Sequence, residues 1–334
     1  MAADNLNPLD TALNKLLYPF HSGKKSKFAY FVSCALRELV PGFVCRKQLP
    51  DIIKQGFETF DRVYVEDRVN YYNKLATPTP LAADAPRLAD HRMRSKGQVY
   101  YFDTREFTRF FPQNRRWRHL PGDITVVPPE PTIVKSRPVA GNNANAVLLN
   151  LNKVRHFLFV EDKVAFSQKK DLAVFRGKVR NKPKRITLFR HYFNNPLCDL
   201  GDTSGKSPDP DAWKTGKLTL EQQLRYKFIL AIEGNDVASN LKWVMSSNSI
   251  AMMPEPEYET WFMEGRLIPN VHYIQIAPDY SDLEAKIRYY GEHLDEAQRI
   301  IDQAHAYVAQ FQNPEREKLI SLLVMAKYFA LTDD

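Results

Sequence analysis

A glycine-containing loop between an apolar strand and a helix could bind phosphate groups in this sequence. Phe228–Ile232 predicts a buried strand, and Val237–Ser246 predicts the helix that follows it. In a parallel α/β sheet, phosphates bind where a strand ends, because the free N–H groups at the start of the next helix point towards them. The loop consists of Gly234, Asn235, Asp236, Val237, Ala238, Ser239 and Asn240, with Lys242 just behind it. By itself, the pattern also suits an ordinary strand-to-helix turn.

A second candidate phosphate site follows a predicted strand at Leu172–Phe175. Its residues are Arg176, Gly177 and Lys178, together with Arg185 near the start of a predicted helix over Lys184–Tyr192. Cations that converge on a helix start could hold a diphosphate through charge-assisted hydrogen bonds. On charge alone, a solvated basic loop is the commoner explanation.

The elements that must position these loops alternate between strand and helix in the second half of the chain. This alternation is typical of a doubly wound α/β sheet, and a helical pattern over Asn7–Tyr72 precedes it. In the first half we predict strands at Val99–Phe102, Ile124–Val127, Thr132–Val134 and Phe157–Val160. In the second half we predict further strands at Leu197–Leu200, Ser249–Met253 and His272–Ile276, and helices at Leu220–Tyr226, Tyr258–Glu264, Asp282–His293, Leu294–Gln312 and Pro314–Leu331.

Composition sets broad limits on the class of protein. The chain has 334 residues, 44% of them hydrophobic, which excludes a disordered or fibrous protein and suggests two domains. Its net charge of +8 favours phosphate-bearing partners without choosing among nucleotides, nucleic acid and anionic lipid. The three cysteines have no C-x-x-C spacing, so neither a disulfide framework nor a zinc site is indicated.

The sequence predicts a cytoplasmic protein. Met1–Leu16 contains Asp4 and Asp10 and has no apolar core, so we do not expect a secretory signal. No window reaches the ~20 apolar residues that a membrane-spanning helix needs. Lys27–Lys47 could rest on the anionic inner face of the cytoplasmic membrane. A buried core helix shows the same pattern.

Taken together, the two loops and the residues around them resemble the carboxyl-terminal signature of glycosyltransferase family 90. This family includes bacterial lipopolysaccharide-core enzymes, Rumi-type protein O-glucosyltransferases and fungal capsule xylosyltransferases. The resemblance extends over roughly Asp123 to Gln312. It is carried by Tyr226, Gly234, Ser239, Lys242, Ser246, Ser249, Trp261, Leu267, Pro269, His272, Tyr273, Asp279, Ser281, Asp282 and Leu283.

The resemblance implies a GT-B fold with two facing Rossmann-like lobes, here residues 1–160 and 161–334, preceded by extra N-terminal helices. It also implies a UDP-sugar donor bound mainly by the second lobe. Arg176, Gly177 and Lys178 match the family's Arg-Gly-Ser loop, with lysine in place of serine, and Arg185 matches the arginine that reaches the diphosphate. Asn240 stands where the glucosyltransferases have an arginine, which leaves the donor sugar open.

The implied reaction is an inverting single displacement onto a glycan hydroxyl, with no metal and no cofactor besides the donor. The family's base, an aspartate after an arginine, is replaced here by Pro138, so we nominate Asp123 as the base; a turn-capping role is the alternative. Lys135, Ser136 and Arg137 could bind donor phosphate or an anionic acceptor such as lipopolysaccharide core. Lys153, Arg155 and His156 could extend that basic surface.

Three alternatives compete with this interpretation. Asp209-Pro210-Asp211 could be the Asp-x-Asp of a metal-dependent transferase, or an exposed turn. The Arg and Phe interleaving over Arg105–Arg118 would suit a nucleic-acid-binding protein, although we expect no nucleic-acid partner because no recognised motif accompanies it. The missing family aspartate would suit an inactive sugar-nucleotide-binding relative.

Overall fold

The computed structural model describes residue 23 and residues 26–93, 97–205 and 208–333. It has the predicted α/β class, with two parallel sheets surrounded by helices. The predictions for Met1–Leu16, and the helical pattern from Asn7 onwards, begin outside the described residues. The GT-B arrangement and the boundary at residue 160 stay predictions.

Helices open the described part of the chain. They are α1 (Lys27–Glu38), α2 (Gly42–Thr59), α3 (Arg62–Tyr72) and α4 (Gln98–Thr108). Asp61 caps α3, since its side chain accepts the N–H of Tyr64.

A small parallel sheet follows these helices. Its strands are β1 (His119–Leu120), β2 (Thr132–Val134) and β4 (Ala146–Leu148), in the order β1-β2-β4. Every residue of β2 and β4 is buried, as expected for strands covered on both faces. The short helix α5 (Lys153–His156) comes directly after this sheet, so that its side chains lie near the strand ends.

The larger parallel sheet has five strands in the order β10-β8-β7-β5-β6. They are β5 (Lys170–Gly177), β6 (Cys198–Asp202), β7 (Tyr226–Leu230), β8 (Ile250–Met253) and β10 (Ile274–Gln275). Helices α6 (Pro183–Tyr192), α7 (Leu220–Gln223) and α8 (Leu241–Met245) connect the strands. Because all these strands run parallel, β5 and β7, which are neighbours, end at the same edge.

A two-stranded antiparallel sheet joins the two halves of the chain. It pairs β3 (Ser136–Pro138) with β9 (Tyr258–Thr260). Within this pair, the guanidinium of Arg137 donates from Nε to Glu259 Oε1 at 2.7 Å, and both side chains are buried.

The chain ends with α9 (Leu283–Glu292), α10 (Leu294–Ala309) and α11 (Pro314–Thr332). The last of these helices packs against the N-terminal helices: Glu317 forms a buried ion pair with Arg68 of α3 at 2.9 Å. Asn73, at the end of α3, donates to the carbonyl of Val324 at 3.3 Å. The side chains of α11 therefore complete a core that begins in the first half of the chain.

The strands predicted around residues 172, 197, 249 and 272 and the last three helices are confirmed. Two predictions exchanged helix and strand. Val99–Phe102 lies inside α4, because the buried residues Asp103, Thr104, Phe107 and Thr108 continue its pattern at helical spacing. Tyr258–Glu264, predicted as a helix, contains β9, because its backbone pairs with β3.

Other segments are irregular where regular structure was predicted. Ile124–Val127 forms no strand, since the backbone N–H and C=O of Ile124 both bond the Ser136 hydroxyl. Phe157–Val160 forms none either, and the N–H of Val160 donates to Ser246. The helix predicted over Val237–Ser246 begins only at Leu241, so the glycine loop is longer than expected.

Candidate functional site

The guanidinium of Arg185 connects the two loops that the sequence singles out. Arg185 belongs to α6, and its guanidinium lies at the carboxyl edge of the larger sheet, where β5 and β7 end. Its Nε and Nη2 donate to the carbonyl of Ile232 at 3.2 and 2.8 Å, and Nε also donates to that of Glu233 at 3.2 Å. Its Nη1 donates to the carbonyl of Lys178 at 2.8 Å. The loops after β5 and β7 therefore meet at one cation.

The positive charge of Arg185 is not neutralised by an ion pair with any described carboxylate. Burial, followed by repulsion from Arg155, lowers the pKa of its guanidinium to about 10. Its hydrogen bonds go to backbone carbonyls, which carry no net charge. The group is still protonated at neutral pH, so an anion placed beside it would gain a strong electrostatic interaction.

Two glycines lie beside this guanidinium. A Cβ at Gly234 would lie 3.0 Å from Nη2 of Arg185, whereas a Cβ at Gly177 would first meet the Phe175 ring, at 2.7 Å, with Nη1 of Arg185 at 3.5 Å. A side chain at Gly234 would press on the guanidinium or displace it. The requirement for glycine in this loop is therefore a close approach to Arg185.

A charged cluster links Asp123, which follows β1, to the loop after β7. Asp123 accepts from Lys135 Nζ at 2.5 Å and from Asn235 Nδ2 at 2.9 Å. The same Lys135 ammonium lies 2.6 Å from Asp236 Oδ2, and Lys182 donates to the Asn235 side chain. Asp123, the nominated base, therefore contacts the predicted donor loop directly at Asn235.

Both central members of this cluster are charged at neutral pH. Burial raises the pKa of Asp123, but the attraction and hydrogen bond of Lys135 outweigh it, so that the net shift is downward. Burial lowers the pKa of Lys135, but Asp236, Tyr100 and Asp123 raise it above its ordinary value. The carboxylate of Asp123 is therefore ready to accept a proton, while Lys135 makes it a weaker base.

Helix α5 contributes a cation and an imidazole to the same region. The Arg155 side chain is exposed, and within the described ranges no hydrogen bond or ion pair engages its guanidinium. The charge of Arg155 lowers the pKa of both Asp123 and Arg185. His156 is buried, and neither ring nitrogen has a hydrogen-bond partner among the described atoms.

The imidazole of His156 is neutral. Burial, followed by repulsion from Lys242, Lys135 and Arg155, holds its pKa well below the ordinary value. A neutral ring that is surrounded by cations can accept a hydrogen bond but does not add to the positive charge. Arg155 and Arg185 therefore carry unneutralised positive charge in this region, as does Lys182, whose partner Asn235 is a neutral amide.

Two predicted donor-binding cations have protein partners instead. Arg176 points back along the sheet to Asp199, with Nη2 to Oδ1 at 2.6 Å. Lys242 is fully buried and forms an ion pair with Glu264. Both side chains stabilise the fold around the loops, and neither reaches the guanidinium of Arg185.

Most of the other predicted polar residues also bond to the protein itself. Arg137 is fully buried and donates to Glu259 and to backbone carbonyls, and the Ser136 hydroxyl bonds the backbone of Ile124. Asn240 donates to the carbonyl of Leu230 at 3.1 Å. Of the predicted Lys135, Ser136 and Arg137 group, only Lys135 therefore joins the charged cluster.

A narrow pocket lies between the loop after β7 and the loop after β8. Glu233 holds the two loops together, since it accepts the N–H groups of Glu257 and Tyr258 at 3.1 and 3.2 Å. Ser239 is partly buried at the end of the loop after β7. The apolar wall of the pocket is formed by Ala231, Ile232, Val237, Ala238, Leu241 and Met253.

Sequence reasoning missed two residues beside Asp123. Tyr100 of α4 lies close to Lys135, Asp123 and Asp236, and its pKa is raised, mainly by burial. The side chain of Asn152 opposes burial by lowering that pKa, and Asn152 adopts a left-handed backbone conformation with φ of 56° directly before α5. No local signal marks either residue, because the contacts come from α4, which was predicted as a strand.

The rival sites fit their proposed roles poorly. Asp211 forms an ion pair with Lys214, and the described residues contain no group of three or more His, Cys, Asp or Glu side chains that could hold a metal. Between Arg105 and Arg118 the rings that would stack on bases are buried, namely Phe107, Phe110 and Phe111. That segment therefore offers no aromatic surface to a nucleic acid.

Comparisons with known proteins identify the family of this chain. Residues 147–328 match the profile of Glycosyl transferase family 90, a range that includes Arg155, Arg185 and the glycine loop. O-glucosyltransferase LpsA of Dichelobacter nodosus is 43% identical over 272 residues, covering 81% of this chain and 85% of that protein. Protein O-glucosyltransferase 3 of Rattus norvegicus is 27% identical over 165 residues, covering 48% of this chain and 32% of that protein. The chain belongs to glycosyl transferase family 90 and is a glycosyltransferase.

Proposed function

We propose that this protein transfers a sugar, with inversion, from a UDP-sugar to a hydroxyl of a glycan acceptor. The observation that carries the proposal is the unneutralised Arg185, which joins the two glycine loops at the carboxyl edge of the larger sheet. A leaving diphosphate needs this kind of cation, because negative charge develops on it as the sugar departs.

In this proposal the diphosphate lies between Arg185 and Arg155. The donor loop Gly234–Asn240 surrounds it, beside the narrow pocket that Val237 and Ala238 line. The GT-B arrangement, with the donor on the second lobe and the acceptor facing it from the first, belongs to the same proposal. The transferred sugar is a hexose or a pentose.

Asp123 acts as the base in the proposed reaction. The acceptor hydroxyl gives its proton to the Asp123 carboxylate while its oxygen attacks the anomeric carbon, and the bond to the diphosphate breaks on the opposite face. Lys135 and Asn235 hold the carboxylate beside the donor loop. Because Arg155 and Arg185 supply the positive charge, the proposal includes no metal ion and no cofactor.

The acceptor that we propose is lipopolysaccharide core oligosaccharide. One relative carries the name LpsA, and the net charge of +8 would attract a phosphorylated or carboxylated glycan. Such an acceptor is assembled on the cytoplasmic side of the inner membrane, so we propose a cytoplasmic enzyme that works at that surface.

Thermal unfolding in EDTA with UDP-, CMP-, GDP- and ADP-sugars tests the donor. A donor at about 100-fold over its Kd should stabilise the protein by about 2.7 kcal/mol. We expect one UDP-sugar to do so, and we expect Arg185→Ala and Gly234→Val to abolish the effect. Gly216→Val is the matched control, because a Cβ there meets nothing within 4 Å.

A stabilised donor complex should then transfer its sugar to lipopolysaccharide core in EDTA, and NMR of the product should show the inverted anomer. If no nucleotide sugar stabilises the folded protein, the transferase proposal is wrong for this chain. Donor binding without transfer to any glycan would instead favour an inactive sugar-nucleotide-binding relative.

A further inference from the structure

Helix α1 presents its apolar residues outwards. Phe28, Leu36 and Leu39 are 80%, 60% and 76% exposed, far more than large apolar side chains of a core helix would be. They form one face, because they recur every three or four residues. We call this face the apolar ridge, and it consists of Phe28, Val32, Leu36, Leu39, Val40 and Phe43.

The inward face of α1 is held mainly by polar contacts. Tyr30 donates from its hydroxyl to Asp103 Oδ1 at 2.8 Å, and Arg37 forms an ion pair with Glu106. Cys34 is the buried residue of the helix. This is the reverse of an ordinary amphipathic surface helix, in which the apolar face packs on the core. The exposed ridge is therefore not a by-product of core packing.

The ridge lies across the bend between two helices. No single described helix is long and apolar enough to span a bilayer, and only α1 and α2 taken together have the composition, with a 93° bend between them. A 12-residue helix is about 18 Å long, which is well short of the ~30 Å hydrocarbon core. Such a helix can lie along a bilayer surface.

Charges beside the ridge favour an anionic surface. Lys27 and Lys47 are exposed next to the ridge. The nearby Glu38 is already paired with Arg105 and Arg109, so it contributes little net repulsion. Basic residues beside an apolar face are the pattern of helices that bind at anionic lipid headgroups.

We propose that α1 and the first turn of α2 form a docking surface for an anionic lipid bilayer. The ridge enters the boundary between headgroups and acyl chains, and the flanking lysines contact lipid phosphates. This surface deepens the proposed function by naming where the enzyme meets its membrane, but vesicle binding does not depend on the donor or the reaction.

The docking surface is connected to the candidate site. Asp103, which holds Tyr30 of α1, also accepts the N–H of Lys153 at 3.1 Å through Oδ2. Glu106, which pairs with Arg37, contacts Lys153 Nζ at 2.6 Å. Since Lys153 begins α5, the helix that carries Arg155, docking of α1 orients the cations of the site relative to the bilayer.

Co-sedimentation of the full chain with vesicles tests this proposal. We expect binding to phosphatidylcholine vesicles that contain phosphatidylglycerol, and much weaker binding to phosphatidylcholine alone. Leu36→Glu with Leu39→Glu should lower the partition coefficient at least about tenfold, because two leucines no longer enter the bilayer. Val63→Glu is the matched control: Val63 is 76% exposed on α3, away from the ridge, and its variant should bind like the parent.

Lys27→Glu with Lys47→Glu should weaken binding to the anionic vesicles alone. UDP affinity should be unchanged in every ridge variant, which separates this proposal from the donor-site proposal. The docking proposal would be overturned if the folded parent did not bind vesicles. It would also be overturned if the double leucine variant bound them as well as the parent does. A parent dimer in light scattering that the leucine variant converts to monomer would also overturn it, since the ridge would then bind a second copy.

Discussion

Replacing Arg155 with alanine should weaken UDP binding without lowering the free energy of unfolding of the ligand-free protein. In the free protein Arg155 repels Arg185, and this repulsion helps to lower the pKa of Arg185 to about 10. Its own side chain is exposed and makes no hydrogen bond or ion pair with the described residues. Its removal therefore relieves the repulsion from Arg185, loses an attraction to Asp123, and breaks no hydrogen bond or ion pair.

The expected magnitudes follow from this geometry. One charge-assisted hydrogen bond contributes about 1.5–3 kcal/mol, so Arg155→Ala should raise the Kd for UDP roughly 10- to 100-fold. Because the side chain is exposed and screened, the free energy of unfolding without ligand should stay the same or rise by no more than about 0.5 kcal/mol.

Titration calorimetry with UDP and thermal unfolding with and without UDP measure both effects. Arg190→Ala is the matched control, because Arg190 is an exposed arginine of α6, the helix that carries Arg185. Equal UDP affinity in Arg155→Ala and the parent would refute the two-cation site. So would a loss of stability above about 1 kcal/mol in the free variant, since that would reveal a packing role.

The remaining predictions concern the base, the core and the acid stability. Asp123→Asn should lower kcat by about 10²–10⁴ in transfer assays with UDP affinity almost unchanged, whereas equal activity would remove Asp123 as the base. Gly56→Ala should lower the free energy of unfolding in urea by about 1–3 kcal/mol at constant UDP affinity, because the new Cβ would lie 2.6 Å from Leu319 Cδ2. Burial lowers the pKa of His119 from 6.5 to about 3, so the unfolded chain binds a proton first, and stability should fall as the pH drops from about 6.5 towards 3. His119→Phe should flatten this decline in unfolding free energy, by on the order of 3 kcal/mol, and an unchanged pH profile would contradict that assignment.

The strand ends that carry the site were predictable because a parallel sheet leaves a plain local pattern. Buried runs such as Phe228–Ile232, followed by a glycine, mark both a strand and the edge where ligands bind. Arg185 could be selected as a cation at a helix start. Its four hydrogen bonds to backbone carbonyls could not be predicted, because they depend on how two loops distant in sequence approach each other.

Cationic residue types did not reveal which cations are free. Arg176, Arg137 and Lys242 were as plausible in sequence as Arg155, yet each has a carboxylate partner. For Arg137, that partner is 122 positions away. Pairing over such distances is decided by tertiary packing, which a local sequence pattern does not encode.

The position of α11 has a consequence for synthesis of the protein on the ribosome. The first half of the chain leaves the exit tunnel well before Pro314–Thr332 is translated, yet this helix supplies the partner of Arg68 and the carbonyl that binds Asn73. Until then, Arg68 is an unpaired cation beside an open apolar surface. The nascent N-terminal half must therefore remain incompletely buried until Pro314–Thr332 has been translated, and its exposure to chaperones and proteases is set by the time needed to reach that helix.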